Sequence, residues 1–160
     1  MSMAMMIDGA PSDWFDLFNA RKLHLVALSV GGFSTLGAIE IRIGYHGPYL
    51  SDSVNRSGRA RTFAPEHPLT VIPLVEDTHG GRPLPPDPEA FLRKVFRDVL
   101  RAHASLDDCR AIFLDLRGWG RGDGFPIETA RRAAAKVFAK AGRELAVYIE
   151  TDADPSQARH

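Results

Sequence analysis

The feature that most constrains this chain is an alternation in its second half. Apolar runs at 69–75, 111–116 and 145–150 are separated by two stretches whose apolar residues recur at helical spacing. In the first of these, Phe91, Leu92, Val95, Phe96, Val99 and Leu100 form one stripe, introduced by Asp87 as a cap and Pro88 at the first helical position, so a helix is predicted over about 88–104. In the second, over 126–141, Ile127, Ala130, Ala133, Ala134, Val137 and Phe138 face inward while Arg131, Arg132, Lys136 and Lys140 face outward, with Gly142 as the stop. The run 111–116 is almost continuously apolar, as a strand covered on both faces requires. Strand, helix, strand, helix, strand is the order of a crossover sheet with helices packed on it.

The first half is read more coarsely. Ser12 is a candidate cap for a helix over 12–20 carrying Trp14, Phe15, Leu17 and Phe18, with Asp13 and Asp16 near its positive end. Strands are predicted at 23–30 and 38–45, the latter because Ile39, Ile41 and Ile43 alternate with Glu40 and Arg42. A polar loop or short helix is expected over 46–58 and a brief strand over 59–63. Pro73 argues that the strand at 69–75 is an edge or ends early. The expected fold is α/β, a three-layer α/β/α single domain spanning 1–160 around a mixed sheet of five or six strands, with 1–10 and 152–160 as loose tails.

Composition narrows the function. Twenty basic residues balance twenty acidic ones, which removes the basic excess that nucleic-acid or anionic-membrane binding rests on, so neither partner is expected. Cys109 is the single cysteine, so no internal disulfide or multi-cysteine zinc site forms and a reducing, cytoplasmic setting is expected. No apolar run reaches the ~20 residues of a membrane span, and the first ten residues lack a basic leader region. His24, His46, His67, His79 and His103 show no close metal-ligand spacing and are read as solvated or core-edge residues. No metal or cofactor is expected.

The candidate site is the loop Gly118, Trp119, Gly120, Arg121, Gly122, Asp123, Gly124 and Phe125, set between the strand 111–116 and the helix that follows. Glycines at alternate positions let backbone amides approach a ligand without a Cβ in the way, and a helix start beside them favours an anion. Arg121 offers a fork for a phosphate oxygen and Trp119 a flat face for a base or sugar. A purely structural turn accounts for the same glycines. The loop lacks the Gly-Lys-Ser/Thr ending of a P-loop and the spacing of a dinucleotide fingerprint, which argues against those nucleotide-hydrolysing and dehydrogenase classes. Asp115 and Arg117, beside it, are read as a structural ion pair, and Ser29 as a strand residue.

The stretch from Ile112 to Ala130, an apolar strand followed by Gly-x-Gly-Arg-Gly-x-Gly and an alanine-rich helix, resembles the second phosphate-binding loop of macro domains, which bind ADP-ribose. The resemblance covers about 90 residues. It implies binding of ADP-ribose or a related phosphorylated nucleotide through Gly118–Phe125. The asparagine-containing strand end and glycine run of that family's first half have no counterpart in Ile43-Gly44-Tyr45-His46-Gly47 or Gly31-Gly32, so binding without catalysis is expected. The same stretch also resembles STAS domains through Leu114-Asp115-Leu116, Asp123 and Gly142-Arg143-Glu144-Leu145, although Gly124 stands where that family carries a phosphorylatable serine. That second resemblance implies a noncatalytic regulatory module with a protein partner. A third, to the strand-loop-helix unit of the signal-peptide-peptidase and crotonase superfamily, brings no downstream nucleophile.

Overall fold

The computed structural model describes residues 4–28, 39, 54, 57, 59–72, 86–116 and 127–150, with the side chains of Leu28 and Ile127 excepted. Among the described residues nine elements can be bounded: β1 (Ala4–Asp8), α1 (Trp14–Asn19), β2 (Leu23–Leu28), β3 (Arg61–Thr62), β4 (Leu69–Ile72), α2 (Pro88–His103), β5 (Ala111–Asp115), α3 (Ile127–Phe138) and β6 (Leu145–Glu150). The strands make one six-stranded mixed sheet in the order β1-β6-β5-β2-β4-β3. All neighbours are parallel except the short β3, which runs antiparallel to β4. The α/β class read from the sequence is therefore the class observed.

Period-two alternation divides the core between the two faces of the sheet. On one face Val26, Ile72, Ile112, Leu114, Val147 and Ile149 meet Leu92, Val95, Phe96 and Val99 of α2 and Ala130, Ala133, Ala134 and Phe138 of α3. On the other, Leu25, Ala27, Leu69, Val71 and Phe113 meet Phe18 of α1 together with Ile39 and Val54. Phe96 and Phe138 lock α2 against α3 with ring centroids 5.7 Å apart. Each such fully buried side chain contributes roughly 1.5–3 kcal/mol relative to exposure. On the outer surface of the same helix pair, Glu89 of α2 accepts hydrogen bonds from Lys136 Nζ (2.9 Å) and Arg132 Nε (3.1 Å) of α3, and these, Lys136 foremost, hold its carboxyl below the usual range.

The strongest local signals act as expected. Asp87 accepts a hydrogen bond from the Ala90 amide at 3.0 Å, which caps α2 behind Pro88. Others need correction. Residues 4–8, read as part of a loose tail, form β1, because a short apolar run finds a complete parallel partner in β6, from Ala4↔Leu145 to Asp8↔Ile149. The helix read over 12–20 is confined to Trp14–Asn19, and its N-cap is Asp13, with no side-chain capping bond, rather than Ser12. Ile39, read in a strand over 38–45, is helical and buried; the rest of that stretch lies outside the described residues. The second long helix ends at Phe138, short of the expected 141, and Gly142 does not adopt the left-handed conformation of a glycine stop. Strand β4 is described to Ile72, and 73–75 lie outside the described residues.

Candidate functional site

Because five strands are parallel, their carboxyl ends converge on one edge of the sheet. Asp8, Leu28, Ile72, Asp115 and Glu150 terminate β1, β2, β4, β5 and β6 there. Register aligns Asp115 with Ala27 on one side and Glu150 on the other. The backbone continues in order past the strand ends: the Leu116 amide donates to the Glu150 carbonyl (2.9 Å) and the Gly9 amide to the Ile149 carbonyl (2.7 Å). Gly9 turns there with φ +90°, a conformation that other residues rarely adopt.

The sheet changes winding direction between β5 and β2. From β5 the chain passes through α3, on the first face, to β6; from β2 it proceeds through a connection whose Ile39 and Val54 are buried on the opposite face, towards β3 and β4. Two neighbouring parallel strands whose connections leave to opposite faces open a crevice between their carboxyl ends, the place where ligands bind in open α/β sheets. The predicted site residues Gly118, Trp119, Gly120, Arg121, Gly122, Asp123, Gly124 and Phe125 all lie outside the described residues, as do Arg117 and Ser29. Their anchors are described: the strand that leads into them ends on Asp115, only 5% exposed, and α3 follows from Ile127.

The opposite, amino edge holds a polar cluster that sequence reasoning missed. His24 on β2 and His103 at the end of α2 are both buried, with ring centroids 6.3 Å apart. His24 Nε2 and Thr70 Oγ1 share a hydrogen bond of 2.7 Å, while His24 Nδ1 has no partner. Both ring nitrogens of His103 are buried without a hydrogen bond of normal geometry; the Cys109 carbonyl lies near enough to favour the protonated ring slightly. Burial, reinforced by neighbouring His103, lowers the His24 pKa to about 3. Burial, reinforced by the Arg143 guanidinium, lowers the His103 pKa to about 4. Both rings are therefore neutral at pH 7.

Arg143 organises the turn beneath them, its Nη2 donating to the carbonyls of Cys109 (2.9 Å), His103 (3.2 Å) and Leu106 (3.4 Å). Among the described residues two hollows open at this edge. One of about 420 Å³ lies beside Thr62, Thr70, Val95, Val99 and Ser105, and one of about 250 Å³ is lined by Leu100, His103, Lys140 and Arg143 among others. The expectation that His24 and His103 are solvated or core-edge is thus corrected towards full burial. One signal for it was present: His103 continues the spacing of the α2 stripe after Leu92, Phe96 and Val99, where an apolar residue is the rule. Among the described residues no group of three His, Cys, Asp or Glu side chains could hold a metal ion, and no helix is long and apolar enough to cross a membrane.

In comparisons with known proteins, no family model matches the chain and no curated protein matches it significantly.

Proposed function

We propose that this protein binds ADP-ribose or a related phosphorylated nucleotide at the carboxyl edge of its sheet, through Gly118–Phe125 and without catalysis, in a reducing, cytoplasmic setting. The observation that carries the reading is the change of winding direction between β2 and β5, because it opens a crevice beside the strand that leads into the glycine-rich loop. Backbone amides freed by the glycines, the positive start of α3 and the Arg121 fork then supply the donors a diphosphate needs. The macro-domain resemblance points the same way.

The experiment is calorimetric titration of the intact chain with ADP-ribose, ADP and inorganic phosphate, repeated on Gly122→Val. Saturable binding of the diphosphate nucleotides, lost in Gly122→Val with melting little changed, is the expected result. A ligand held only by the native state at 100 times its Kd adds about 2.7 kcal/mol, so a thermal shift accompanies it. No heat and no shift at millimolar nucleotide overturns the reading and leaves the STAS-like regulatory module, with a protein partner, as the alternative.

A further inference from the structure

The sheet ends on a strand whose outer edge no described element covers. β1 is last in the strand order and, among the described strands, pairs with β6 alone. Period-two alternation fixes what its free side offers. The Gly9 amide donates to the Ile149 carbonyl, so the backbone groups of Met5 and Ile7 turn towards β6 and those of Met6 turn outwards. Ala4 packs on the face that α2 and α3 cover, so Met6 lies on that face, while Met5 and Ile7 lie on the face of α1, beside Tyr148. Met5 is 60% exposed and Met6 38%, and these are the exposed large apolar side chains among the described residues.

An open edge is a template for another strand, and soluble proteins blunt theirs with charge, proline or a bulge. Over Ala4–Ile7 there is no charged side chain and no proline, and the register with β6 runs unbroken from Ala4 to Asp8. Two observations select the occupant. First, β1 is complementary to its own copy: antiparallel pairing about a twofold axis at Met6 sets Met6 against Met6 and Met5 against Ile7, so each apolar side chain meets an apolar one on its own face. The single charge, Asp8, then falls opposite Ala4, and the two Asp8 carboxylates stand about 13 Å apart at ~3.3 Å per residue, beyond the ~8 Å screening length of physiological salt. Second, the whole chain has a net charge of zero, so two copies approach without long-range repulsion.

We propose that β1 is the edge through which two copies of this chain join. The strands meet antiparallel at Met6, each Met6 amide donating to the Met6 carbonyl of the other copy, and the six strands of each copy become one continuous sheet. The flexible methionine side chains adapt to one another on both faces of the joint. One pair of short strands makes a small interface, so a reversible dimer with a Kd in the micromolar range is expected.

The test is sedimentation equilibrium of the intact chain at neutral pH from about 1 μM to about 1 mM, with amide hydrogen exchange followed by NMR at both extremes. The mass should double as concentration rises, and exchange of the Met6 amide should slow with it. Met6→Lys and Met6→Glu, at an exposed position, each set like charges against one another on the axis. Each should weaken association about ten-fold or more and keep the melting temperature of the monomer. An equimolar mixture of the two variants should dimerise again, because the axis then joins a cation to a carboxylate. That recovery distinguishes a second copy from a foreign strand. A chain that stays monomeric up to about 1 mM overturns the proposal, as does a dimer whose Met6 amide exchanges at a rate independent of concentration. So does a dimer that survives both substitutions, or a mixture that stays monomeric. The mass and exchange readings need only the parent chain, so a variant that fails to fold leaves the test decisive.

Discussion

Acid should unfold this protein through two histidines before its carboxylates matter. His24 and His103 have folded-state pKa values near 3 and 4, against 6.5 for the unfolded chain. Below pH 6.5 the unfolded state therefore binds up to two more protons than the native one, and stability falls as pH falls. The full stability is present above about pH 6.5, and the loss continues until the folded rings themselves protonate near pH 4 and below. Each ring contributes about 1.4 kcal/mol per pH unit inside that window. Two rings over about two units, from pH 6.5 to 4.5, give a loss on the order of 5 kcal/mol, a large share of a typical domain's 5–15 kcal/mol. Urea unfolding followed by circular dichroism at pH 7.5, 6.5, 5.5 and 4.5 measures it. The slope should approach two protons in the parent chain and one in His103→Leu. Because the His103 ring has no hydrogen bond to lose, that variant should be close to neutral at pH 7.5 and more stable than the parent at pH 4.5. A midpoint that does not move between pH 6.5 and 4.5, or a slope unchanged in His103→Leu, refutes the reasoning.

Phe96→Ala should destabilise by roughly 3–5 kcal/mol, because the ring is fully buried between α2 and α3 against Phe138 and its loss leaves a cavity; chemical denaturation measures it. Asp87→Ala removes the bond to the Ala90 amide and should cost about 1 kcal/mol by the same assay, whereas Asp87→Asn should restore most of it.

How much of this was legible depended on whether the signal was local. Helix α2 carried its own cap, its own first-turn proline and a complete apolar stripe, so its start and buried face followed from about sixteen consecutive residues. Strands β5 and β6 were similarly self-declaring, because a run such as Ala-Ile-Phe-Leu in an interior strand needs no distant information. Strand β1 was not: Ala4–Asp8 is short, Met5 and Met6 are exposed, and what makes it a strand is a partner beginning at Leu145. Ile39 shows the limit of periodicity, since alternation over a few residues does not exclude a helix when packing on the sheet decides. The histidine cluster escaped because His24 and His103 belong to separate elements and meet only through the crossover that lays α2 over β2. The crevice between β2 and β5 likewise rests on the order of strands, which no single segment encodes.

The pairing of β1 with β6 also sets an order of events during synthesis. Residues 4–8 leave the ribosome about 140 residues ahead of the strand that receives them, Leu145–Glu150. At ~5–20 residues per second the interval is on the order of ten seconds, long compared with hairpin or helix formation. Throughout it Ala4, Met5, Met6 and Ile7 have no sheet to join, while β2, β4 and β5 can already assemble around α2. The nascent protein thus passes through a stage in which its central strands are built while β1 still waits, an apolar segment open to chaperones and to neighbouring chains until β6 arrives.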